Sequence, residues 1–274
     1  MHSISPEDMV TGDLEGNGQD DVIIDFGALY GIWLWMNNSF WVKLHPLSPE
    51  GMVTGDIDGS GQDDVIIDFG APDGIWVRMN NSSWVKLHSL SPEGMVTGDI
   101  DGSGQDDVII DFGAQDGIWV RMNNSTWVKW HSLSPEGMVT GDIDASGQDD
   151  AIIDFGVPFG IWVFMNNNDW VPLSTSPEIP SVTGDLDSNG QDDVIISFGE
   201  PFGIWVFMNN GAWVKLHNLS AESMVTGNLD GVSSLSVTAL MSQKLPAELQ
   251  QAPASVLPPF VPQNLPLEGA GVEQ

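Results

Sequence analysis

The chain repeats itself every 43 residues, and that period restricts its fold more than any other feature. Complete units span 5–47, 48–90, 91–133, 134–175 and 176–219, and a partial one covers 220–241. The second and third agree at 40 of 43 positions, differing only at Pro72/Gln115, Ser83/Thr126 and Leu87/Trp130. Each unit reads as four short strands, which in the second unit begin at Met52, Val65, Gly74 and Trp84. Val65, Ile66 and Ile67 form an uninterrupted apolar run, the pattern of a strand buried on both faces. Asn80 and Asn81 separate the last two strands and suit a hairpin turn, because asparagine tolerates positive φ. Four strands per repeat without helical periodicity predict an all-β fold, a β-propeller of five complete four-stranded blades with a degenerate sixth unit. Both a five-bladed ring and a six-bladed one fit this count.

Between the first and second strands lies an acidic loop. In the second unit it runs from Asp56 to Asp64, with side-chain oxygens at loop positions 1, 3, 5 and 9 and glycine at position 6. Alternate oxygens around a tight turn suit a hard cation, which takes six to eight oxygen ligands. The loop recurs from Asp13, Asp99, Asp142 and Asp185. An EF-hand is excluded, since its position 12 needs a bidentate Glu and these loops have Ile24, Ile67, Ile110, Ile153 and Ile196 there.

Composition narrows the function classes. Acidic residues number 39 against 7 Lys and Arg, a formal charge of −32. Such a chain lacks the basic clusters that nucleic acid requires. The absence of cysteine excludes disulfides and thiolate metal sites. No apolar run approaches the ~20 residues of a membrane span. No basic start followed by an apolar stretch precedes the first unit. All 12 tryptophans fall inside the units, where packing between blades is their expected role and carbohydrate stacking the alternative.

The loops followed by Val-Ile-Ile, in tandem with Gly-Ile-Trp and Trp-Val-Lys, resemble the FG-GAP/VCBS calcium-binding repeats that build propellers such as the integrin α head. The resemblance covers residues 5 to about 240. It implies a Ca²⁺ ion at each of five loops, held in the first by Asp13, Glu15, Asn17, the Gln19 carbonyl and Asp21. The matching sets are Asp56, Asp58, Ser60, Gln62 and Asp64; Asp99, Asp101, Ser103, Gln105 and Asp107; Asp142, Asp144, Ser146, Gln148 and Asp150; and Asp185, Asp187, Asn189, Gln191 and Asp193. Ser60, Ser103 and Ser146 depart from the family's Asn or Asp and offer a weaker ligand. The sixth loop, with Val232 at position 5 and Ser236 at position 9, is expected to hold no ion.

Two positions five residues apart change together: Tyr30 with Trp35, Phe159 with Phe164 and Phe202 with Phe207, against Asp73 with Arg78 and Asp116 with Arg121. This reads either as a local contact made by stacking or by an ion pair, or as an aromatic sector that binds a partner. Residues 242–274 are rich in proline and predict an extended tail, free or docked on this or a neighbouring subunit. Nearly every titratable residue is a repeat copy, whereas catalysis needs an asymmetric cleft. The expectation is therefore a non-enzymatic, calcium-binding propeller at the cell surface or outside the cell. It would serve adhesion, assembly into a homo-oligomer or fibre through the tail, or binding of a protein or glycan. The alternatives are a lectin-like glycan binder and a polysaccharide-acting enzyme.

Overall fold

The computed structural model describes residues 5–175, 181–226 and 271–272. The sixth loop and most of the tail lie outside these residues. Among the described residues there is no helix, and the chain is built from four-stranded antiparallel sheets of propeller-blade type, five in number. The first blade comprises β1 (Asp8–Gly12), β2 (Asp21–Asp25), β3 (Ile32–Met36) and β4 (Phe40–His45). The second comprises β5 (Gly51–Gly55), β6 (Asp64–Asp68), β7 (Ile75–Met79) and β8 (Ser83–His88). In the third, β9 (Gly94–Gly98), β10 (Asp107–Asp111), β11 (Ile118–Met122) and β12 (Thr126–His131) follow the same order. The fourth contains β13 (Gly137–Gly141), β14 (Asp150–Asp154), β15 (Ile161–Met165) and β16 (Asp169–Ser174). The fifth contains β17 (Ser181–Gly184), β18 (Asp193–Ser197), β19 (Ile204–Met208) and β20 (Ala212–His217). A short β21 (Gly271–Val272) pairs antiparallel with the outer edge of β12.

The described residues fall into two compact units, one carrying the first three blades and the other the last two. In the first unit, Val65 and Ile67 of β6 pack with Leu14, Ile23 and Leu34 of the first blade, while Ile66 packs with Val108 and Ile110 of the third. That two-sided packing explains the continuous apolar run of each second strand. In the second unit, Ile143, Ile152 and Val163 meet Val194, Ile196 and Phe198 in the same way. The hairpin turns are as expected: Asn80 and Asn81 both sit at φ 46°, the twist that joins antiparallel strands with two residues.

Candidate functional site

Each acidic loop is shaped by its first aspartate. Asp56 accepts the backbone N–H of Ser60 at 2.9 Å on Oδ1 and that of Gly61 at 2.7 Å on Oδ2. Gly61 sits at φ +80°, where a side chain would be strained. Asp13, Asp99, Asp142 and Asp185 make the corresponding bonds to positions 5 and 6 of their loops. The turn thus folds around a carboxylate and aims its other oxygens inward.

The ninth-position aspartate opens the second strand and is fully buried: Asp21, Asp64, Asp107, Asp150 and Asp193 are all at 0% exposure. Asp64 Oδ1 accepts the N–H of Asn80 at 2.6 Å. Its Oδ2, like Asp21 Oδ2, is buried without a hydrogen-bond partner. In the later blades the same oxygen accepts only a long bond, from Ile100 at 3.2 Å, Ile143 at 3.2 Å and Leu186 at 3.1 Å. Burial pushes the Asp64 and Asp107 carboxyls up to about 7 and Asp150 to about 6, and also raises Asp21 and Asp193. A buried carboxylate oxygen with no donor is costly unless something positive meets it.

The loops bring those oxygens together. Carboxylate oxygens of Asp56, Asp58 and Asp64 lie within 4.8 Å of one another, and so do those of Asp142, Asp144 and Asp150. At that separation two full charges repel by about 3 kcal/mol at an effective dielectric near 20. These two triads could hold a metal ion. The donors are all oxygen, which favours a hard cation over zinc or copper. The Gln62 carbonyl lies 3.5 Å from Ser60 Oγ, and the Gln148 carbonyl 3.4 Å from Ser146 Oγ.

Two kinds of residue outside the expected ligand set belong to the site. Asp63, at position 8, accepts the N–H of Asp13 at 2.8 Å and returns its own N–H to the Asp13 carbonyl at 2.8 Å. Asp106 does the same for Asp56. Gln105 Nε2 donates to the Asp58 carbonyl at 2.8 Å, and Gln62 Nε2 to that of Glu15 at 3.2 Å. The second and third loops are therefore each fastened to the loop of the preceding blade. The second kind is the hairpin asparagine: Asn80 Nδ2 donates to Asp58 Oδ2 at 2.8 Å. Both recur in every unit, so the period carried the signal, but only the fold shows what they touch.

The covarying pairs resolve into separate contacts. Arg78 donates to the Ser82 carbonyl at 2.5 Å and the Asn81 carbonyl at 2.9 Å, and lies over Trp84 at 5.5 Å. Arg121 makes the same set with Ser125, Asn124 and Trp127. In the aromatic blades Trp35, Phe164 and Phe207 occupy that place, against Trp41 at 5.0 Å, Trp170 at 4.7 Å and Trp213 at 5.1 Å. The earlier member of each pair is Tyr30, Asp73, Asp116, Phe159 or Phe202, and its carbonyl accepts a tryptophan Nε1–H at 2.9–3.1 Å. Tyr30 is exposed, Phe159 and Phe202 are half-buried, and Phe164 is buried. His45 packs on Phe69 and Trp84 of the next blade, and His88 on Phe112 and Trp127.

No protein-family model matches the chain, and no curated protein does. Solved structures share its fold. An Agrocybe aegerita lectin that specifically recognises non-reducing terminal N-acetylglucosamine matches with a TM-score of 0.56 at 19% identity, over 76% of this chain and 64% of the lectin. This chain thus spans less than two thirds of the lectin's length. BBS1N, crystallised in complex with ARL6DN, matches with a TM-score of 0.51 at 15% identity, over 78% of this chain and 70% of that one. The rhamnogalacturonan lyase YesW matches with a TM-score of 0.47 at 12% identity, over 79% of this chain and 51% of that one. The expectation that the chain is not an enzyme is corrected on this point. Rhamnogalacturonan lyases stand among the matched structures, at 12–13% identity.

Proposed function

We propose that this protein is a glycan-binding protein of the propeller type, with calcium ions seated in its acidic loops. The observation that carries the glycan reading is a half-buried tryptophan paired with a lysine in four of the five blades; in the fourth, Trp162 is buried and Pro172 takes the place of the lysine. Trp33, Trp76, Trp119 and Trp205 stand half-buried on the third strands. Each indole N–H is tied to a backbone carbonyl, and Lys43, Lys86, Lys129 and Lys215 respectively lie 5.5–5.8 Å from the ring centroids. Each ammonium lies over its ring, and a lysine that swings aside would open a rigid apolar face to a sugar, which has a C–H face for stacking and hydroxyls for hydrogen bonds. The fold shared with a lectin for a terminal sugar supports the same ligand class. Repetition would make binding multivalent and strengthen it without new contacts.

The calcium reading rests on the buried oxygens of Asp21 and Asp64, which have no donor, and on the all-oxygen triads. An affinity on the order of 10⁻⁴–10⁻³ M, typical of extracellular modules, would suit a protein used outside the cell. A glycan array probed with the whole chain in calcium tests the function. Binding confined to glycans with one kind of terminal sugar, weakened about tenfold by Trp119→Ala, is expected, since a large aromatic contact is worth a kcal/mol or more. A blank array would overturn it.

A further inference from the structure

The hairpin between the third and fourth strands of each blade sends an asparagine into the acidic loop. We propose that Asn80, with Asn37, Asn123, Asn166 and Asn209, supplies one more cation ligand from outside the loop, through its carboxamide oxygen. The inference rests on reading the loops as cation sites and adds a ligand that the loop sequence does not contain.

Three bonds fix the orientation of this side chain. The backbone N–H of Asn80 donates to Asp64 Oδ1 at 2.6 Å, which anchors the hairpin to the buried carboxylate. The amide nitrogen donates to Asp58 Oδ2 at 2.8 Å. An ionised carboxylate only accepts, so the group facing Asp58 must be the NH₂ and the oxygen must point the other way. That oxygen meets Ser60 Oγ at 2.5 Å, the position-5 side chain of the loop. Asn123 repeats the arrangement, at 2.7 Å to Asp101 and 2.6 Å to Ser103 Oγ. In the first blade Asn37 Oδ1 lies 2.6 Å from Asn17 Nδ2, again at position 5. Asn166 and Asn209 donate to Asp144 and Asp187 at 2.8 and 3.0 Å.

The carboxamide oxygen therefore faces the position-5 side chain of a loop whose Asp56, Asp58 and Asp64 carboxylates lie within 4.8 Å of one another and whose Asp64 Oδ2 is buried without a hydrogen-bond partner. Calcium needs six to eight oxygens, and a serine hydroxyl at position 5 is a weak one. A neutral amide oxygen raises the ligand count without adding repulsion among the carboxylates. It also makes the ion a clamp between the loop joining the first two strands and the hairpin joining the last two.

Turn chemistry alone would also place asparagine here, since Asn80 and Asn81 share φ 46°. Glycine takes that conformation without strain and aspartate tolerates it, so substitution separates the roles. The whole chain is compared by calorimetric calcium titration with two fivefold variants and a control. The first variant carries Asn37→Gly, Asn80→Gly, Asn123→Gly, Asn166→Gly and Asn209→Gly. The second carries Asp at the same five positions. The control carries Gly at the neighbouring Asn38, Asn81, Asn124, Asn167 and Asn210. Calcium affinity is expected to fall about tenfold or more in the first variant, as for other residues that complete a metal site. It is expected to hold or rise in the second, which keeps an oxygen, and to stay within about threefold of wild type in the control. Equal losses in the Gly and Asp variants would overturn the proposal and leave asparagine as a donor to Asp58 only. Wild-type affinity in the first variant would overturn it too. A wild-type chain that binds no calcium would instead overturn the cation reading itself, together with this inference.

Discussion

Each second strand begins and ends with a buried polar residue, and the two ends have been put to different uses. Asp64 opens β6 at 0% exposure and Asp68 closes it at 2%. Asp68 is satisfied within the protein, its Oδ1 accepting Gly70 N–H at 2.9 Å and its Oδ2 the hydroxyl of Ser91 at 2.8 Å. Asp25 and Asp111 are held alike, by Gly27 and Ser48 and by Gly113 and Ser134. In the fifth blade Ser197 takes this place and accepts the N–H of Ala221 at 2.9 Å, so the closing end needs a polar acceptor and not a charge. Asp64 has one oxygen satisfied and one bare, among other carboxylates. In the second blade the same side chain at equal depth is a tie between blades at one end and, at the other, a carboxylate with one oxygen left without a donor. What separates them is the second donor, which is a short hydroxyl bond at Asp25, Asp68 and Asp111 but is missing at Asp21 and Asp64 and long, at 3.1–3.2 Å, at Asp107, Asp150 and Asp193.

The sharpest way to break this comparison is to delete one aspartate at a time. Asp68→Ala leaves the Gly70 N–H without its acceptor and the Ser91 hydroxyl with only Glu50 Oε2, 3.0 Å away, at a cost of about 1–3 kcal/mol. That loss should be the same in calcium and in chelator. Asp64→Asn keeps an acceptor for Asn80 N–H but removes a buried charge, so the chelated protein should melt no lower than wild type. In calcium the same variant should lose the stabilisation of one ion, about 2.7 kcal/mol where calcium stands a hundredfold above its dissociation constant. Thermal melts of both variants under both conditions check this. If the loss at Asp64 does not depend on calcium, the two ends are alike and the loop is only structural.

A second test uses pH. The unfolded carboxyl titrates near 3.8, while burial holds folded Asp64 and Asp107 near 7 and Asp150 near 6. Between those values the chelated fold keeps protons that the unfolded chain has released. Its stability must therefore fall as pH rises from about 4 to about 7, and then level off. Burial raises Asp68 and Asp111 as well, which adds to the same slope. His45 and His88 are lowered by burial and act in the opposite sense below 6.5. Those terms are present with and without the ion, so the difference between the two melting curves isolates the loops. Calcium at these loops would bind the ionised carboxylates, and its contribution would grow across the window in which the chelated protein weakens. The gap in melting temperature between the two conditions should widen by several degrees from pH 5 to pH 7.5. A constant gap would mean that no buried proton is displaced by the ion.

The 43-residue period, the strands and the Asn-Asn turns are all legible in the amino-acid sequence, because each follows from local patterning: apolar runs for the strands and positive φ for the turns. The loops are legible as oxygen clusters for the same reason. What the sequence hides are contacts made across the period. Asp63 falls outside the ligand spacing and its task cannot be read from its own loop, yet it is the bond to Asp13, fifty positions away. Asn80 looks like turn chemistry and nothing else, until its amide is seen on Asp58, 22 residues back. Asp73 and Arg78 look like partners for one another, whereas the guanidinium holds a hairpin and covers Trp84. Repetition shows which positions matter without saying which copy of which blade they face.

The smallest expected effect sharpens the ligand end of the comparison at loop position 5. In the first and fifth loops asparagine stands there, and Asn17 and Asn189 each accept the N–H two residues on, from Gln19 and Gln191, at 2.8 Å. Ser60 and Ser103 accept the matching bond at 3.3 Å and Ser146 at 3.2 Å. A carboxamide thus closes the turn more tightly than a hydroxyl, and it is also the stronger ligand. Ser60→Asn should raise the melting temperature of the chelated protein by about 1–2 °C, the equivalent of roughly half a kcal/mol. Calcium affinity at that loop should rise by about two- to fivefold. The first number reports the turn and the second reports the ion, so a rise in stability without one in affinity would place position 5 in the scaffold and outside the cation's reach.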